Sequence, residues 1–112
     1  MLKQVELLFA RIKEAGTYDY EKILKAYQYA ESFHEGQKRI SGEDYIVHPL
    51  SVAEEVLKLQ LDTDAICAAF LHDTVEDCSD KVDLTFLRKE FGNDVAEIVD
   101  GVTKLVRVPL FP

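Results

Sequence analysis

Seven consecutive apolar residues, Ala65-Ile66-Cys67-Ala68-Ala69-Phe70-Leu71, run directly into the pair His72-Asp73. The run reads as the body of a helix opened by Asp62 or Thr63, with an imidazole and a carboxylate near its C-terminal end. His48 lies upstream, just before Pro49 and another helical pattern, and Glu76 and Asp77 follow one helical turn after the pair. Three potential ligands of two chemical types therefore fall at the ends of two predicted helices, with acid–base groups beside them. A metal-dependent phosphohydrolase needs such a layout.

The rest of the chain also reads as helix and loop, which predicts an all-α bundle of about five or six helices. Leu2, Val5, Leu8, Phe9 and Ile12 recur at helical spacing, and Gly16 ends that segment. Asp19 is a plausible N-cap for a second helix that carries Ile23, Leu24, Tyr27, Ala30 and Phe33 to about Glu35, closed by Gly36. A loop from Gln37 to Val47 follows, and Pro49 suits the first turn of a third helix with Val52, Ala53, Val56, Leu57 and Leu59 inside. After the His-Asp helix, Cys78 to Val82 reads as a polar loop. Asp83 caps a short helix stopped by Gly92, and Asn93 or Asp94 opens a last one. The end, Val106 to Pro112, is apolar, β-branched and interrupted by proline, so it is expected to be extended.

A length of 112 residues fits a single domain, and 47% apolar residues suffice for a core. The formal net charge of −8 argues against non-specific binding to DNA or anionic membranes. It leaves room for a nucleotide, because a bound divalent cation reverses the local field. No apolar run approaches the roughly 18 residues of a membrane span. The N-terminus lacks a signal-peptide pattern. Cys67 and Cys78 make no disulfide framework, and Cys67 reads as a small buried hydrophobe. A cytoplasmic location is the simplest expectation.

Adjacent helical residues point about 100° apart, yet two of them converge on one ion placed near a helix end. If the helix continues past His72-Asp73, Glu76 stacks over His72 and Asp77 over Asp73. The second pair is like-charged and unfavourable unless a divalent cation or a loop arginine such as Arg39 offsets it. A mixed His/carboxylate set suits Mn, Fe or Zn rather than a thiolate zinc site. Glu76 or Asp77 would then position or deprotonate a nucleophile or protonate a leaving group, and Lys38 and Arg39 would hold phosphate oxygens. Each residue also has a structural reading: His48 as a helix-entry residue, Glu76-Asp77 as a solvated helix end, Lys38-Arg39 as exposed loop charges. His34, near a helix C-terminus, reads as a charge–dipole or packing residue.

A set of motifs goes further. Gly36-Gln37-Lys38-Arg39, Ser41-Gly42-Glu43, Tyr45-Ile46, His48-Pro49-Leu50, the stretch Ala68 to Asp77, Phe91-Gly92 and Val99 to Leu105 occur in this order. Together they closely resemble the N-terminal hydrolase domain of the RelA/SpoT family, the bifunctional guanosine tetra- and pentaphosphate synthetases/hydrolases. The resemblance runs from about Tyr20 to Leu105. It implies an all-helical HD-type domain and a Mn2+-dependent hydrolase that removes the 3′-pyrophosphate of (p)ppGpp, linked to the stringent response. It implies His48, His72 and Asp73 as metal ligands, Glu76 and Asp77 as the catalytic acidic pair, and Arg39, Ser41 and Lys38 as substrate contacts.

Two departures accompany it. Ile40 stands where the family usually has a second basic residue. The family domain continues beyond the Thr103-Lys104-Leu105 motif, and that continuation supplies a fourth metal ligand, an aspartate in an Ala-Asp-Arg-Leu-His-Asn-like stretch. Asp80, Asp83, Asp94 and Asp100 are not at that position. Residues 1–105 are thus expected to be the N-terminal portion of an HD-type hydrolase domain, its C-terminal part absent, and 106–112 a non-family tail. Apolar surface on the second to fourth helices is expected to be left open and to drive a homodimer or higher oligomer. The alternative to a hydrolase is a catalytically inactive, self-associating HD fragment with a structural or regulatory role.

Overall fold

Helices form wherever apolar residues recur at helical spacing, and caps or glycines set their ends. The computed structural model describes residues 3–37, 42 and 44–107, and side chains in the last helix as far as Val102. In order the elements are α1 (Lys3–Ala15), α2 (Tyr20–Phe33), α3 (Val47–Lys58), α4 (Thr63–Leu71), the single turn α5 (Thr74–Asp77), α6 (Leu84–Phe91) and α7 (Asn93–Arg107). No strand is present among the described residues. The expected all-α bundle is thus observed, with six full helices and one four-residue turn.

Three aspartates act as N-caps. Asp19, Asp62 and Asp83 accept hydrogen bonds from the backbone N–H groups of Lys22, Ala65 and Phe86 at 3.1, 2.9 and 2.8 Å, each satisfying a donor the first helical turn leaves open. Gly16 and Gly92, at φ 73° and 95°, end α1 and α6 in backbone conformations other residues avoid. α3 ends without a glycine. Gln60 adopts φ 58°, while the N–H groups of Gln60 and Leu61 bond the carbonyls of Leu57 and Val56 at 2.9 and 3.4 Å. That is a Schellman closure with glutamine in the left-handed position.

α4 is the centre of the bundle. Every residue from Ile66 to Leu71 is buried, because α2, α3 and α7 all pack on it. Phe70 stacks on Phe9 of α1 at 6.2 Å between ring centroids and meets Tyr27 of α2 edge-on at 5.7 Å. Lys22 ties α2 to α4 through an ion pair with Asp64 at 2.7 Å. On the far side of α2, Tyr29 and Phe33 meet Phe86 of α6 edge-on at 5.3 and 5.9 Å, and Tyr29 donates to Glu90 at 2.9 Å.

The structure departs from expectation in five places, the first being the end of α3 at Lys58, which leaves Leu59 outside the helix. α4 ends at Leu71 rather than carrying the His-Asp pair. The hydroxyl of the buried Thr74 donates to the Leu71 carbonyl at 2.8 Å, and His72 Nδ1 lies 2.6 Å from the Ala69 carbonyl oxygen. Side chains thus satisfy carbonyls at the helix end, and the chain turns there without a glycine. Cys78 to Val82 is not simply polar, since both named residues are buried at the core edge.

The expected extended end is also corrected at Val106 and Arg107, which continue α7. A proline biases only the residue immediately before it, so the sequence signal does not reach these two positions; residues 108–112 lie outside the described residues. Finally, the second to fourth helices expose no large apolar side chain among the described residues. The exposed ones are Leu7 on α1, Leu59 and Leu61 in the α3–α4 connection, and Ile98 on α7. α1, packed on α2 and α3, and α7, packed on α4, supply the cover.

Candidate metal centre

Two chain breaks meet at one point. His48 is the second residue of α3, where a turn delivers the chain into the helix: the N–H groups of Val47 and His48 bond the carbonyls of Asp44 and Tyr45 at 3.2 and 3.1 Å. His72 and Asp73 form the two-residue joint between α4 and α5. Because α3 packs along α4, the joint faces the start of α3.

One donor atom from each of His48, His72 and Asp73 lies within 4.8 Å of the other two. Asp73 Oδ2 is 3.4 Å from His48 Nε2 and 3.2 Å from His72 Nε2, and the imidazole centroids are 5.5 Å apart. All three side chains are half-buried, with His48 the most open. The short contact to the Ala69 carbonyl requires the proton on His72 Nδ1. His72 Nε2 is then left as a donor atom facing Asp73 and His48. Zinc-type and related sites fix the ligating nitrogen of histidine by the same outer hydrogen bond. The donor set of two imidazoles and a carboxylate therefore fits a borderline divalent cation such as Mn, Fe or Zn.

Glu76 and Asp77 share the single turn α5 and are exposed. Asp77 accepts a hydrogen bond from the Tyr45 hydroxyl at 2.6 Å, and the same oxygen lies 3.4 Å from Asp73 Oδ2. Burial first, then the bond to Asp77 and the charge of Asp73, push the Tyr45 phenol above the ordinary tyrosine range, so it stays a donor. Tyr45 stacks on His34 at 4.5 Å between centroids. His34 is buried, as its reading as a packing residue anticipates, and its Nδ1 meets Gln37 Oε1 at 3.0 Å. Lys38, Arg39 and Ser41 lie outside the described residues. Their stem is closed by a backbone bond from Tyr45 N–H to the Gln37 carbonyl at 3.2 Å.

Sequence reasoning thus names the three residues that converge and misses Tyr45, whose hydroxyl stands between the candidate ligand Asp73 and the acidic residue Asp77. Its signal was its place in the turn just ahead of His48. The sequence suggests a divalent cation or a loop arginine such as Arg39 as the partner that offsets Asp73 and Asp77, and a tyrosine hydroxyl stands against both.

Comparison with known proteins covers the same stretch. A family profile described as "HD domain" matches residues 26–111, which include every candidate site residue. The chain is 49% identical over 87 residues to a GTP pyrophosphokinase of Streptomyces coelicolor, covering 78% of this chain and 10% of that protein. It is 47% identical over 85 residues to a guanosine-3′,5′-bis(diphosphate) 3′-pyrophosphohydrolase of Vibrio cholerae, covering 76% of this chain and 12% of the relative. A Haemophilus influenzae protein of the same description is 53% identical over 76 residues, 68% of this chain and 11% of its own length. The chain thus spans about a tenth of the length of the curated relatives it matches. The sequence is similar to the RelA/SpoT proteins along most of its helical core, and on the strength of the profile match the chain belongs to the HD-domain family.

Proposed function

We propose that this domain is a divalent-metal-dependent phosphohydrolase acting on guanosine polyphosphates, with Mn2+ as its cation. In the proposed reaction water adds to the phosphorus attached to the 3′-oxygen of (p)ppGpp and that P–O bond breaks, giving GDP or GTP and pyrophosphate. The carrying observation is the His72 ring: Nδ1 tied to the Ala69 carbonyl and Nε2 turned towards Asp73 and His48. The relatives carry two kinds of name, a pyrophosphokinase and a 3′-pyrophosphohydrolase. The His48, His72 and Asp73 cluster favours the hydrolytic one, because such a donor set suits activation of water rather than transfer between nucleotides.

A cation held there supplies Lewis acidity that polarises a phosphoryl oxygen and lowers the pKa of water. His72 and Asp73 fix its place from the α4–α5 joint, and His48 closes the set from α3. Glu76 and Asp77, one turn on, are proposed to take the proton of the attacking water and return one to the leaving 3′-oxygen. Lys38, Arg39 and Ser41 are proposed to hold the phosphates, and Arg39 suits bidentate binding. No described helix is long and apolar enough to cross a membrane. A cytoplasmic location fits a substrate of this kind.

A second reading is favoured by the size of the cluster, three residues among those described. A folded module with this donor set alone would bind its cation more weakly and act by association. Association through α2 and α4 has less support, because α1 and α7 cover them. The deciding experiment is incubation of the purified chain with ppGpp, pppGpp and unrelated nucleotides in Mn2+, with His72→Ala/Asp73→Ala as control. Pyrophosphate released from the guanosine polyphosphates by the wild type alone supports the hydrolase; a folded, Mn2+-loaded chain that releases none supports the module.

A further inference from the structure

Tyr45 stands against two carboxylates that the sequence places four residues apart. Its hydroxyl oxygen is 2.6 Å from Asp77 Oδ2 and 3.4 Å from Asp73 Oδ2. A phenol has one hydrogen to give, so the shorter contact is the hydrogen bond. The longer one keeps Asp73 beside the same dipole. Like charges at this spacing on one turn repel, and a donor placed against both offsets the repulsion and selects the orientation of Asp77.

The ring itself is held from several sides. One face stacks on the buried His34 at 4.5 Å and 24° between planes. Its other aromatic neighbour is His48, nearly perpendicular at 6.3 Å. The Tyr45 backbone N–H is bonded to the carbonyl of Gln37, whose side chain meets His34 Nδ1. A phenylalanine would fill this space and keep the stack, so packing does not account for the hydroxyl.

We propose that Tyr45 is a positioning residue of the metal centre: its O–H, with the ring set on His34, orients Asp77 and the ligand Asp73. This rests on the metal-centre reading above. The arrangement gives His34 a use as the platform under Tyr45 rather than as a ligand.

The test is a Mn2+ titration of the full chain, followed by electron paramagnetic resonance, for wild type, Tyr45→Phe, His34→Leu and the double variant, with circular dichroism as the control for folding. The Mn2+ dissociation constant of Tyr45→Phe is expected to rise about tenfold, the lower end of losses seen for groups that orient metal ligands. His34→Leu moves it the same way, and the double variant is no worse than Tyr45→Phe, because both act through one hydroxyl. Equal affinity in wild type and folded Tyr45→Phe overturns the role of Tyr45 and leaves the centre standing. A wild-type chain that binds no Mn2+ overturns the centre first and the role of Tyr45 with it.

Discussion

His72 Nδ1 lies 2.6 Å from the carbonyl oxygen of Ala69, one turn back along α4. The contact does two things at once. It satisfies a carbonyl at the end of the buried helix, and it fixes the tautomer that leaves Nε2 as a donor atom 3.2 Å from Asp73 Oδ2. Structure and chemistry are separable here, because the amide of an asparagine reaches about as far as Nδ1. His72→Asn is therefore expected to keep its bond to Ala69, and with it the fold, while Mn2+ affinity falls by at least about 100-fold, beyond the usual cost of an outer-shell change. Thermal unfolding and metal titration on the same samples check this; full Mn2+ affinity in the asparagine variant would rule out His72 as a ligand.

Gln60 holds the left-handed position that ends α3, at φ 58°. A side chain with a Cβ costs roughly 1–2 kcal/mol there, and a glycine gives back part of the gain by loosening the unfolded chain. Gln60→Gly is expected to raise stability by about 0.5–1 kcal/mol, read from urea unfolding. A loss of stability would mean that the Gln60 side chain makes a contact worth more than the strain.

Cys67 is fully buried in α4, and burial pushes its thiol up to about 12 from an ordinary 9.0. The native protein keeps that proton when the unfolded chain has lost it, so the unfolded state binds fewer protons between those values. Stability is then unaffected by this group below pH 9 and declines as the pH rises towards 12. The same burial should make Cys67 inert to a thiol reagent at pH 8 in the folded protein and reactive in urea. Fast labelling of native Cys67 would contradict the packing around α4.

The helices were legible because their signals are local. Asp19, Asp62 and Asp83 cap within three residues of themselves, and apolar spacing marks the buried stripes of α1 and α2. The end of α4 was not legible, since it depends on the Thr74 hydroxyl and the His72 ring turning back on carbonyls of the preceding turn. The end of α3 was obscured because Gln60 carries no glycine signal, and the helical state of Val106 and Arg107 because Pro109 lies close by in the sequence. At the candidate site, residue type pointed to His48, His72 and Asp73. The link from Tyr45 to Asp77 bridges 32 positions and exists because α3 packs on α4, which no local pattern records.

His48, His72 and Asp73 are proposed to form one metal centre. Anomalous diffraction from crystals of the chain grown with Mn2+, collected on both sides of the manganese edge, locates the ion. A peak is expected within bonding distance of His48 Nε2, His72 Nε2 and Asp73 Oδ2, absent from His72→Asn crystals. A well-ordered wild-type site with no anomalous peak there, or manganese bound elsewhere on the acidic surface, would contradict it.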